Sequence, residues 1–169
     1  MPPRDRMLQK KMGTGGAAQP RPKGGKGSEM TKLHPIRHLA IASDNPAKAA
    51  EFYKQNFGWT ELKRFGLDSD KPDEAPRPSG VFMSDGTLNI AILKFADDQL
   101  LKGVDYTGLH HFGVVVEDVN EWMDLLMKQG CAQVPYEIPP GTHAEYKFRG
   151  PDGVVFDITG HQWDGSAPA

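Results

Sequence analysis

Three residues of this chain could do chemistry together: His38, His111 and Asp157, two imidazoles and a carboxylate far apart in a sequence of 169 residues. Neutral imidazole nitrogens and carboxylate oxygens both bind divalent cations, and two His with one carboxylate leave open positions on the ion for a substrate. Non-haem Fe(II) oxygenases use that donor set, which also accepts Mn, Ni or Zn. The expected cofactor is one divalent metal ion, Fe(II) or Mn(II) ahead of Ni or Zn. Cys131 is the only cysteine, which excludes an internal disulfide and a thiolate zinc cluster. It follows Gly130 with no patterned His or Asp around it and is expected to pack.

A lone histidine on a strand is more often structural than a ligand, so the weight falls on repetition. HLAIASDN (38–45) and HFGVVVED (111–118) align at an offset of 73 residues, each opening on His, continuing apolar and ending acidic. In the first copy His38, Ala40 and Ala42 alternate with Leu39 and Ile41, the period of a strand. Asp44 and Asn45 end it, Pro46 takes the first helical position, and AKAAEFYKQNF continues as a helix stopped by Gly58. TELKRF, VFMS and TLNIAILKF then read as strands, with a Pro- and Asp-rich loop at Gly66 to Ser79 and a turn at Ser84-Asp85-Gly86. The second copy repeats this order: strand HFGVVVEDV, helix NEWMDLLMKQ closed by Gly130, then CAQVPYEI, AEYKFR and VVFDITG. The fold class is α+β. Two βαβββ modules pair into a cup-shaped mixed sheet with helices on its outer face, because either module alone leaves a sheet face uncovered.

Strand parity decides which side chains meet. Val154, Phe156 and Ile158 form an apolar face for a helix, which turns Asp157 to the opposite, concave side. Leu39 and Ile41 turn His38 inward by the same logic, and Phe112, Val114 and Val116 turn His111 inward. On the neighbouring segment Ala144, Tyr146 and Phe148 are apolar, so Glu145, Lys147 and Arg149 point into the cup, as lip residues reaching solvent or as working groups. Lys147 is a candidate general acid or base; Glu145 is a candidate base or fourth ligand. His110 has the parity opposite to His111 and is expected to pack on the outer side. His143 lies in the loop PPGTHAEY, where it could gate the cup, and His34 and His161 lie at the domain ends. Trp122, Leu125 and Leu126 have ordinary core spacing.

With these residues in place, HLAIASDNPAKAAEFYKQNFG, HFGVVVEDV and PDGVVFDI resemble the vicinal oxygen chelate superfamily over about residues 35 to 160. That group holds glyoxalases, extradiol dioxygenases, epimerases and fosfomycin or bleomycin resistance proteins. The resemblance implies one metal in the cup, a homodimer, and a small-molecule substrate that chelates through two adjacent oxygens. By it, His38, His111 and Asp157 match the ligands of the first, fifth and last strands, the last usually Glu in relatives. Ala91 falls where glyoxalase-like members carry a further Glu or Gln ligand, and Lys147 where larger ring-cleaving relatives carry an acid Tyr. The leading expectation is a metal-dependent, dioxygenase-like enzyme. A glyoxalase-like lyase or an epimerase or isomerase is the alternative, and a metal-free resistance-type binding protein the third.

The organisation follows. Residues 1–33 are a basic Gly- and Pro-rich leader, read as disordered; 34–162 are expected to form the vicinal oxygen chelate domain that the resemblance implies, as module one (34–95), a linker (96–107) and module two (108–162); 163–169 are a tail. A start at Met30 would give a self-sufficient chain of 140 residues. Residues 1–29 carry seven Lys or Arg against Asp5 and Glu29, a balance of +5, which leaves −7 for the rest of a chain of net −2. An acidic folded part argues against nucleic acid as a partner. Hydrophobic and charged fractions of 38% and 25% are those of globular proteins. No apolar run approaches the roughly 18 residues of a membrane span, so no membrane partner is expected and the location is expected to be cytoplasmic. Gly13-Thr14-Gly15-Gly16 lacks the strand and the Lys of a phosphate loop.

Overall fold

The computed structural model describes residues 32–71, 73–135, 143 and 145–162. The readings made for residues 1–31, for Tyr136 to Ile138 of CAQVPYEI, for Ala144 and for the tail from 163 lie outside the described residues.

Strand β1 (Ile36–Ala42) leads into helix α1 (Pro46–Phe57). The Asn45 side chain accepts the Lys48 N–H, Pro46 occupies the first turn, and Gly58 closes the helix at φ 71°. Strands β2 (Thr60–Phe65), β3 (Ser79–Ser84) and β4 (Asn89–Lys94) follow. Module two repeats the sequence with β5 (Gly108–Val115), α2 (Val119–Lys128), β6 (Ala132–Gln133), β7 (Tyr146–Arg149) and β8 (Val155–Thr159). Asp118 caps α2 by accepting the Glu121 N–H. No described helix is long and apolar enough to cross a membrane.

All eight strands join one sheet in the order β2-β3-β4-β1-β5-β8-β7-β6. Within each module the first and last strands pair in parallel (β1 with β4, β5 with β8), and the modules join through the antiparallel pair β1 and β5. The α+β class and the paired βαβββ architecture expected from the repeat are the ones observed. Each helix covers its own half of one sheet face. Ala50 of α1 packs with Val81, Met83, Ile90 and Ile92; Trp122, Met123 and Leu126 of α2 pack on Val116, Phe148 and Ile158. Burying that face leaves β1, β5, β8 and β7, four adjacent strands at the sheet centre, to line the other.

The β1/β5 ladder carries two irregularities. Between Ala40↔His111 and Ile41↔Leu109 strand β5 advances by two residues against one, and between Ile36↔Val114 and His38↔Gly113 it is β1 that advances by two. The first is a bulge at His110, and a bulge re-aims the side chains that flank it.

Candidate metal centre

His38 on β1, His111 on β5 and Asp157 on β8 converge on the face away from the helices. One ligand atom from each lies within 4.8 Å of the other two. Asp157 Oδ2 is 3.0 Å from His111 Nε2 and 3.7 Å from His38 Nε2, and the two rings meet edge to face at 5.4 Å. Donors bound to one ion at about 2.1 Å, at right-angle to tetrahedral geometry, stand about 3.0 to 3.4 Å apart. The His111 and Asp157 pair meets that spacing, and the His38 and Asp157 pair lies a few tenths of an ångström beyond it. Asp157 Oδ1 is buried without a hydrogen-bond partner among the described residues. A second acceptor oxygen is thus buried beside Gly113.

The electrostatics suit a cation. Burial drives the His38 imidazole down to about 4 and pushes His111 below its ordinary range, so at neutral pH both are neutral donors of lone pairs. Burial alone would raise Asp157, but the hydrogen bond from His111 and the charge of Lys147 outweigh it and hold the carboxyl well below its usual range. The three residues are 1%, 5% and 0% exposed. A dry carboxylate needs a positive partner, and these donors fit a divalent ion.

Lys147 is such a partner already. Its Nζ lies 3.0 Å from Asp157 Oδ2 and 3.4 Å from His111 Nε2, and the residue is 3% exposed. The sequence leaves open whether Lys147 is a lip residue or a working group; it is no lip residue. Register explains this, because Lys147 sits directly opposite Asp157 in the β7/β8 ladder. Glu145 precedes β7 and is half-buried. Burial first, then the charge of Asp157, pushes its carboxyl up to about 7, with Lys147 opposing. Arg149 is spent on loops, donating to the carbonyls of Gly153 and Leu100.

One residue that sequence reasoning turned outward, His110, and one that it did not consider, Gly113, belong here. His110, expected on the outer side by strict alternation, is turned by the bulge so that its Nδ1 lies 2.7 Å from His111 Nδ1. Its ring stacks on Phe95 at 4.0 Å and is buried. Gly113 pairs with both His38 and Asp157 across the ladders, and a Cβ there would collide with the His38 ring and Asp157 Oδ1. The glycine leaves room for Asp157 of β8 beside the His38 ring. No register signal for the bulge exists in the sequence, but a Gly inside a strand is a sign of close approach.

The remaining histidines take no part in the triad. His34 contacts the Val115 carbonyl and Trp122, and His143 is exposed and stacks on His161. Ala91 is buried on β4 beside Ala40, itself level with His111, and offers no donor. Asn89, level with His38, buries an amide oxygen that has no hydrogen-bond partner among the described residues.

The model of the Glyoxalase/Bleomycin resistance protein/Dioxygenase superfamily matches residues 35–158. No curated protein matches the chain. Among solved structures, a hypothetical protein from Bacillus halodurans superimposes with a TM-score of 0.58 at 18% identity, over 80% of this chain and 99% of that one. A methylmalonyl-CoA epimerase from Mycobacterium tuberculosis gives 0.53 at 17% identity, over 73% and 85%. A methylmalonyl-CoA epimerase from Streptomyces coelicolor, in complex with 2-nitronate-propionyl-CoA, gives 0.54 at 18%, over 81% and 100%. At these identities the likeness speaks for the fold.

Proposed function

The chain belongs to the Glyoxalase/Bleomycin resistance protein/Dioxygenase superfamily, and from that premise we propose that it is a metal-dependent proton-transfer enzyme, an isomerase, epimerase or lyase. Its substrate is a small molecule with two adjacent oxygens. The observation that carries this reading is the convergence of His38, His111 and Asp157, with the half-buried carboxyl of Glu145 and the Lys147 ammonium beside them.

A divalent ion held by His38, His111 and Asp157 would supply the charge that stabilises negative charge developing on substrate oxygen. Every other task falls to the chain. Glu145, whose carboxyl burial pushes up in the metal-free site, can in its ionised form take a proton from the carbon next to a carbonyl and return it. A dication held by Asp157 would weaken the 3.0 Å pairing of Lys147 with Oδ2, and the ammonium would then be available to pair with a carboxylate or a developing oxyanion of the substrate. Asn89 offers its amide oxygen on the β4 side.

One observation favours the dioxygenase reading: the small, donorless side chain of Ala91, which leaves coordination positions open. A buried lysine rather than a phenol at position 147 supports proton transfer over ring cleavage. Solvent exchange separates the two readings. With Mn(II) or Fe(II) loaded, a panel of 2-oxo and 2-hydroxy carbonyl compounds in D2O should gain deuterium at the carbon next to the carbonyl without oxygen uptake. Oxygen consumed on catechols without such exchange would reverse the assignment. Self-association as a homodimer belongs to the same reading and is checked by sedimentation equilibrium.

A further inference from the structure

The segment 95–107, which joins β4 to β5, lies across one end of the cup. Phe95 stacks on the His110 ring at 4.0 Å and stands 6.2 Å from the His111 ring, and Tyr106 stands 6.4 Å from His110. Between these two ends the segment reaches β7, where Arg149 Nη2 donates to the Leu100 carbonyl at 3.4 Å. Arg149 shares the inward face of β7 with Lys147. Strand β8 runs between β5 and β7, so the tip of the segment passes over the strand of Asp157.

Several side chains hold this conformation. Asp98 accepts the N–H groups of Leu100, Lys102 and Gly103. Arg77 closes the neck by donating to the carbonyls of Phe95 and Val104 and pairing with Asp105. Leu101 takes φ 58°, uncommon for a residue with a side chain. It is 83% exposed, while Gln99 and Leu100 before it are 8% and 7% exposed. A surface segment buries a side chain only toward what it covers, and beneath this one is the cup.

Leu100 has an apolar reason to be inside. Gln99 has none. Its backbone N–H donates to the Asp97 carbonyl at 3.1 Å, but its side-chain Oε1 is buried with no hydrogen-bond partner among the described residues. An orphaned buried acceptor costs stability, and native proteins keep few of them.

We infer that Gln99 is a specificity-determining residue of the cup, whose amide oxygen accepts a hydrogen bond from a hydroxyl group of the substrate other than the two chelating oxygens. This narrows the substrate class to molecules that carry a further hydroxyl beside the adjacent pair. A site built to bond a hydroxyl rejects the analogue that lacks it, because the protein's own polar atom is then left unpaired. The inference rests on the metal reading above for the chelating pair, and on the buried amide for the hydroxyl.

Two measurements on the full chain keep these apart. With Mn(II) loaded, dissociation constants compare hydroxypyruvate with pyruvate and 4-hydroxy-2-oxobutanoate with 2-oxobutanoate, each pair differing by one hydroxyl. Wild type should favour the hydroxyl compound of at least one pair by about 10-fold, and Gln99→Leu should bind the two members of that pair alike. No preference in either pair, no binding of any of the four by the Mn(II)-loaded wild type, or a preference that survives in Gln99→Leu overturns the inference. Melts of the metal-free proteins need no ion: Gln99→Leu, which removes an orphaned amide, should melt no lower than wild type. A fall of several degrees would make Gln99 a structural residue and overturn the inference too. A wild type that retains no Mn(II) sinks the metal reading, and the melts still decide whether the amide is structural.

Discussion

Gly113 faces His38 across the β1/β5 ladder with so little room that a Cβ on Gly113 would run into the imidazole ring. On its other side it pairs with Asp157, whose Oδ1 lies in the same gap. The site is therefore built around a missing side chain. Gly113→Ala should displace His38 or Asp157, destabilise the fold by about 1 to 3 kcal/mol as overpacking does, and abolish divalent-ion retention. Denaturant midpoints read the first effect and metal stoichiometry the second; an Ala variant that keeps a full equivalent of metal would show that the gap is dispensable.

Lys147 Nζ lies 3.0 Å from Asp157 Oδ2, the oxygen that the proposed divalent ion would also use. Lys147→Met should leave Asp157 without its ammonium, so the metal-free variant loses about 3 to 5 kcal/mol, the usual result of removing one partner of a buried pair. Metal restores the positive charge. The same variant should bind Mn(II) or Zn(II) more tightly than wild type and show a larger rise in Tm on metal addition. Thermal melts with and without metal check both signs, and an unchanged metal-induced shift would mean that Lys147 and the ion do not share the position.

Glu145 links stability to pH with a definite sign. Its folded-state value of about 7 lies above the ordinary 4.5, so the native state holds this proton across that interval. Its contribution to stability is full below pH 4.5 and is lost as pH rises through about 7. Glu145→Gln should match wild type at pH 4 and exceed it at pH 8, as urea midpoints at the two pH values would show. On the proposed reading the ionised form is the base, and the Gln variant should lose about 10²- to 10⁴-fold in kcat/KM.

Most of the fold was legible because it rests on local rules. Asn45-Pro46 opens α1 and Gly58 closes it as the capping pattern requires, and TELKRF forms β2 at the expected residues. The inward parity of His38, His111, Lys147 and Asp157 followed from the apolar residues between them. His110 was missed because alternation assumes an unbroken ladder, and a bulge is fixed by the partner strand, through the pairing of Leu109 and His111 with consecutive residues of β1. The depth of Lys147 was missed for a similar reason: burial of a charge depends on its cross-strand neighbour, here Asp157, ten residues away. Asp157 stands where relatives usually carry Glu, and its Oδ1 occupies the space that Gly113 leaves.

The central claim is that His38, His111 and Asp157 together hold one divalent ion. Metal content of the full chain after loading with Mn(II) or Zn(II) and exhaustive dialysis tests it most directly. Wild type should retain one equivalent, while His38→Ala, His111→Ala and Asp157→Asn each retain far less with the fold intact by circular dichroism. A wild type that retains none, or a His111→Ala variant that keeps its full equivalent, would contradict the account.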